Sequence, residues 1–298
     1  MGNVELWGKK TSEVPEFYRE KEAKQFDGVA PRPEVGIWRI AHPTSAIVAD
    51  NEGNVGDFYD VKTRESYGTE RHVVLFQKKL GRLKFSDGGG ALLCRGNGVD
   101  PQTRQGGQGK IQLYSLGEMS DYDLDVWGLS PNQEAEGVLD YPCGSCPHCT
   151  FHKNTKGEQL RPTCSLVNEI FFLDLDKPDG IDKMPKKIDV RETNKMARES
   201  MKSLDNAIGE HLRSKGISDF AGVFKLTSVK HQNEKKQAFY VPTFEFAGYI
   251  TDEEFANAVE KYYEEFLRAQ GESDTQETQA SDSVSSDKGD EEKSTPWG

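Results

Sequence analysis

The amino-acid sequence predicts an α+β protein, mainly β with added helices. Three features lead there: short apolar runs split by glycine-rich breaks, a strand-turn-strand pattern near residue 230, and two segments with 3.6-residue apolar spacing. Ile37-Trp38-Arg39-Ile40 is apolar and partly alternating, and Ser45 to Ala49 is short and β-compatible. Val73-Val74-Leu75-Phe76 is a clear apolar run, and Leu83 to Phe85 and Ala91 to Cys94 follow at short intervals. Ile111 to Leu116 largely alternates. Asp50 to Gly56, Asp87 to Gly90 and Gly96 to Gly109 are the breaks between these runs. Short strands with such connections fit a small barrel or sandwich better than a parallel α/β sheet.

The second half is more regular. Glu169 to Leu175 reads as a central strand. Over 192–215, Ala197, Met201, Leu204, Ile208 and Leu212 share one helical face, and Gly216 sits where a helix stop belongs. Ala221 to Lys230 and Ala238 to Phe246 form a hairpin, with Pro242 marking an edge or a bulge. A helix runs from Thr251 to about Ala269, with Thr251 and Glu254 as a capping box. Its buried face is Phe255, Val259, Tyr262, Phe266 and Leu267.

The chain has 298 residues and a net charge of −12. From Gly271 to Gly298 there are eight acids against two bases, so this short stretch holds half of the net charge. It has one large apolar residue, Trp297, and cannot bury enough surface to fold, which makes 271–298 a disordered acidic tail. Residues 1–34 form a charged arm, partly basic, either solvated or touching a partner. Residues 35–270 form the core. No apolar run approaches a membrane span. With no secretory signal and an odd number of cysteines, an intracellular, reducing compartment is expected.

Cys143, Cys146, Cys149 and Cys164 carry the sharpest chemistry, in Pro142-Cys-Gly-Ser-Cys-Pro-His-Cys149 and Arg161-Pro-Thr-Cys164. Two overlapping CxxC steps and a return cysteine place four thiolates around one ion. The loop between them, within an insertion at about 140–166, is poor in apolar residues and needs a staple. One structural Zn2+ is the expected occupant. An iron–sulfur cluster and disulfides or free thiols are the rivals, and His148 or His152 could replace Cys149. Cys94 reads as a buried core residue.

No P-loop, GxGxxG, GxSxG, HExxH or deaminase pattern is present, so no bond-making chemistry is expected. The remaining pattern is that of a single-strand binder, in which cations hold phosphates and aromatic rings stack bases. Arg71 to Phe85, read as a strand pair with a basic turn, offers Lys78, Lys79, Arg82 and Lys84 for phosphates. Lys225 and Lys230 add to them from the hairpin. Trp38, Phe76, Tyr114 and Tyr240 are the candidate stacking rings. The acidic tail, with Asp290, Glu291, Glu292 and Trp297, mimics a single strand and could dock on partner proteins.

Taken together, the four cysteines between two β-rich halves, the hairpin ending in Phe239-Tyr-Val-Pro-Thr-Phe244, the helix after it and the stretch Asp287 to Trp297 resemble bacteriophage-type single-stranded DNA-binding proteins. The resemblance covers roughly Val35 to the end. It implies an OB-like β-barrel with a zinc-binding insertion and an acidic tail that recruits replication or recombination proteins. The implied activity is sequence-tolerant binding of single-stranded DNA in replication, recombination or repair. The T-even phage proteins of this class use a histidine and three cysteines, and their spacing differs from this one. The alternatives are a zinc-containing transcription or recombination factor acting through protein contacts, and an iron–sulfur nucleic-acid enzyme.

Overall fold

The computed structural model describes residues 14–19, 35–87, 90–101, 103–131, 137–153, 159–176, 184–234 and 236–268. A one-turn helix α1 (Glu16–Arg19) precedes β1 (Gly36–Ile40), and a second short helix α2 (Ala46–Ala49) follows it. Next come β2 (Phe58–Asp60), β3 (Ser66–Gly68), β4 (Glu70–Phe85), β5 (Leu92–Asn97) and β6 (Gln108–Gln112). Helix α3 (Asp121–Trp127) leads to β7 (Val138–Pro142), and a two-residue ribbon, β8 (His152–Lys153) and β9 (Gln159–Leu160), lies in the cysteine loop. The chain then makes β10 (Ser165–Asp174), β11 (Lys186–Arg191), helix α4 (Lys195–His211), β12 (Gly222–Gln232) and β13 (Ala238–Tyr249). Helix α5 occupies residues 253–268.

The expected α+β character holds, but the sheet is open and not a closed barrel. Its main path runs β3-β2-β1-β11-β10-β4-β5-β6-β7, and the two ends do not meet. Among the described residues only β1 and β11 pair in parallel. The sheet forks at β4. One edge of β4 pairs with β10 along most of its length. The other edge is shared, β12 taking Glu70–Val74 and β5 taking Arg82–Phe85.

The expected strand pair over Arg71 to Phe85 is therefore one strand of 16 residues. Lys78 to Gly81 is not a turn, because β10 supplies a ladder partner there from Ile170 to Val167. Gly81 serves a close approach: a Cβ there would lie 2.7 Å from the Gly96 carbonyl oxygen on β5. The break at the Phe171/Phe172 bulge shifts the register but does not end the strand.

Other expectations shift locally. Ser45 to Ala49 is not extended: its hydrogen bonds close the turn of α2. Ile111 to Leu116 splits into the end of β6 and a 3-10 turn, Leu113–Glu118. The hairpin forms as expected, and β13 pairs only with β12, which leaves Pro242 on an edge strand where a missing N–H costs little. Helix α4 buries the expected residues, with Asn194 as its N-cap and Gly216 in the left-handed conformation beyond it. Helix α5 starts one residue later than the capping box implies: Phe255 N–H donates to Asp252 Oδ1 at 2.7 Å. Its deepest residues are Ala256, Val259, Tyr263 and Phe266, with Tyr262 only half-buried.

Two apolar cores result. The larger joins the central strands to α4 and α5, with Tyr263 and Phe266 packed on Phe76. Tyr18 is buried in it, so at least α1 of the charged arm is anchored. The smaller core gathers Leu93, Cys94, Ile111, Met119, Leu124 and Trp127 beneath α3. The cysteines adjoin this second core.

Candidate metal centre and nucleic-acid interface

Local hydrogen bonds fold the cysteine segment. Cys146 N–H donates to the Cys143 carbonyl (3.3 Å) and Cys149 N–H to the Cys146 carbonyl (2.9 Å), closing two successive turns. Cys164 N–H donates to the His148 carbonyl (2.8 Å) and brings the return cysteine home. Cys143 N–H donates to the Gly107 carbonyl (3.0 Å), which docks the turns on the β5–β6 ribbon. Two glycines form the floor there: a Cβ at Gly96 would lie 2.7 Å from Cys143 Sγ, and one at Gly109 2.9 Å from Cys94 Sγ.

All five thiols are free, and Cys143, Cys146, Cys149 and Cys164 line one cavity with Cys94, Arg82 and Trp127. The neighbouring thiols of Cys143, Cys146 and Cys164, together with burial, push the Cys149 thiol above the usual thiol value. The Cys149 thiol holds Cys146 below the usual thiol value, helped by the backbone N–H groups of His148 and Cys149. Among the described residues no three His, Cys, Asp or Glu side chains stand at metal-ligand spacing. As a donor set they fit a soft divalent ion: four thiols, N–H groups aimed at one sulfur and a buried cation beside them. Cys94 is buried as expected, but against this centre.

His148 does not take the place of a cysteine. Its ring is buried against Trp127 (4.9 Å between centroids), Nδ1 lies 2.8 Å from Thr163 Oγ1, and Nε2 lies 3.2 Å from Asp123 Oδ1. Asp123 also pairs with Lys84 at 3.2 Å, so the histidine ties the loop to α3 and β4. The side chain of His152 lies outside the described residues, as do Asp290, Glu291, Glu292 and Trp297.

The expected groove is partly interior. Trp38 is 1% exposed and stacked on Tyr67, and Phe76 is fully buried under α5, so neither ring can take a base. Arg82 and Lys84 are buried at the cysteine module and cannot reach a phosphate. Lys78 pairs with Asp205 on α4, and Lys225 pairs with Glu70 at 2.7 Å. Tyr240 is half-buried over Gly56, whereas Lys230 and Tyr114 are exposed. Of the β4 cations only Lys79 reaches the other face, where its ammonium lies 5.7 Å over the Phe171 ring.

That face gathers cations that no sequence motif marks. Strand alternation puts Lys187, Asp189 and Arg191 on one side of β11, opposite Phe171, Glu169 and Val167 of β10. Glu169 in turn faces Lys79. The parallel pairing of β1 sets Arg39 beside Asp189, with Tyr59 across from it on β2. Arg95 on β5 bonds Glu169 and lies opposite Lys110 on β6, which faces Asp140 on β7. Arg191 stacks over Phe85, 4.2 Å from the ring centroid. Six cations (Arg39, Lys79, Arg95, Lys110, Lys187, Arg191) thus share one sheet face with three carboxylates, in a chain of net charge −12. The signal available in sequence was the alternation Lys187-x-Asp189-x-Arg191 and Ile37-x-Arg39.

No family model, no curated protein and no solved structure matches this chain. No helix among the described residues is long and apolar enough to cross a membrane.

Proposed function

We propose that the protein binds single-stranded DNA on the cationic face of the sheet, without making or breaking a bond, and that a structural zinc ion staples the module beside it. The cationic face carries the reading. Five strand spacings separate β1 from β6, about 24 Å at about 4.8 Å each. Cations spread over that distance, with Tyr59 and Phe85 between them, suit a flexible polyanion with exposed bases. A rigid duplex would touch fewer of them. Such binding is tolerant of sequence, because phosphates and ring faces are common to every nucleotide. Zinc would be held by Cys143, Cys146, Cys149 and Cys164. It would supply a closed four-sulfur knot in place of an apolar core. The acidic tail would serve as the contact for replication or recombination proteins.

The test is a fluorescence titration with labelled oligo-dT and with a duplex of equal length, at two salt concentrations. Tight, salt-sensitive binding to the single strand with weak duplex binding is expected. Absence of single-strand binding at low salt rejects the reading. A second reading, a zinc-stapled factor that binds proteins, draws on Tyr114, Tyr122, Val138, Leu139 and Phe151, large apolar side chains left exposed around the cysteine module.

A further inference from the structure

We propose that Arg82 and Trp127 are the outer partners of the metal centre, donating to its sulfurs and offsetting its negative charge. This rests on the zinc reading above and concerns residues that are not ligands. A buried cation is costly unless an opposite charge compensates it. Other buried cations obey that rule: Lys84 pairs with Asp123 and Lys186 with Asp60 at 3.7 Å, and the half-buried Arg71 pairs with the buried Asp174 at 2.7 Å. Arg82 is 9% exposed and has no carboxylate partner among the described residues. It donates to two backbone carbonyls, Cys149 at 3.2 Å and Arg104 at 2.8 Å, and its Nε has no acceptor.

What Arg82 does face is the thiol cavity, which it lines together with the four cysteines. Four thiolates around a divalent ion carry a charge of −2, and one guanidinium lowers that to −1. Four neutral thiols would leave the guanidinium uncompensated. Trp127 points the same way independently. Its indole N–H is buried with no aligned acceptor, and its ring lines the same cavity. Metal-bound thiolate sulfur is the natural acceptor for both donors. Arg82 also hands the charge to β4, so the centre is tied to the strand that joins the two cores.

The experiment uses the full chain, purified with zinc, and measures zinc affinity by chelator competition. Replacing zinc with Co2+ then reports the ligand set through its sulfur-to-metal absorption. Arg82→Gln should bind zinc about 10- to 100-fold more weakly, as for other partners outside the ligand shell. Its cobalt spectrum should keep the four-sulfur band, because all four ligands remain. Arg82→Lys should recover part of the affinity. Trp127→Phe keeps the ring and should weaken binding by a smaller factor, and it carries the test if Arg82→Gln does not fold. Wild-type affinity in both Arg82→Gln and Trp127→Phe overturns the proposal while leaving the zinc site standing. Equal weakening in Arg82→Lys and Arg82→Gln overturns the charge argument. A wild-type chain that binds neither zinc nor cobalt removes the site itself.

Discussion

Single side chains on β4 show how strongly two-residue alternation governs function. Lys78, Arg82 and Lys84 share one side of the strand and are drawn to Asp205, the thiol centre and Asp123. Lys79 takes the opposite side, over the Phe171 ring. Adjacent lysines in sequence thus belong to different surfaces. Phe76 illustrates the same point for rings: it is fully buried between Tyr263 and Phe266. Phe76→Ala should cost about 3–5 kcal/mol of stability and leave oligo-dT affinity of the folded protein unchanged. Denaturant unfolding and a titration on the same sample check this. Weaker binding with unaltered stability would return Phe76 to the interface.

At the scale of elements, the decisive facts are where strands continue and where helices start. Strand β4 continues through Lys-Lys-Leu-Gly because β10 lies alongside it and Gly81 lets β5 approach. Helix α5 starts after Asp252, whose carboxylate accepts the Phe255 N–H and satisfies one of the unpaired donors of the first turn. Asp252→Ala should therefore lower stability by about 1 kcal/mol. Thr251→Ala, at an exposed site outside the cap, should change it by less than about 0.5 kcal/mol. Thermal melts of the two variants decide between them, and the reverse order would restore Thr251 as the cap.

Over the whole molecule, charge is sorted by surface as well as by segment. The chain is acidic, yet one face of its sheet collects six cations contributed by β1, β11, β4, β5 and β6. The fork at β4 makes this possible: it joins the larger core to the cysteine module in one continuous sheet. Arg39→Glu with Arg191→Glu should weaken single-strand binding. The slope of log affinity against log salt should become shallower by about 0.7 for each phosphate that is no longer neutralised. The check is a salt series of oligo-dT titrations on wild type and double variant. An unchanged slope would place the strand elsewhere on the molecule.

The sequence by itself determined the α+β character, helix α4 with its cap and stop, the hairpin with its edge proline, and the meeting of four cysteines. Each of these is written in local spacing: 3.6-residue periodicity, alternation around a turn, and CxxC steps closed by their own backbone hydrogen bonds. Tertiary structure alone decided which cations face outward. Arg39, Arg95, Lys110 and Arg191 come from strands far apart in the chain, and only the register of the ladders sets them on one face. The continuity of β4, the open sheet and the inward turn of Arg82 are also long-range outcomes. They depend on what lies across the ladder or across the cavity, and no local pattern encodes that.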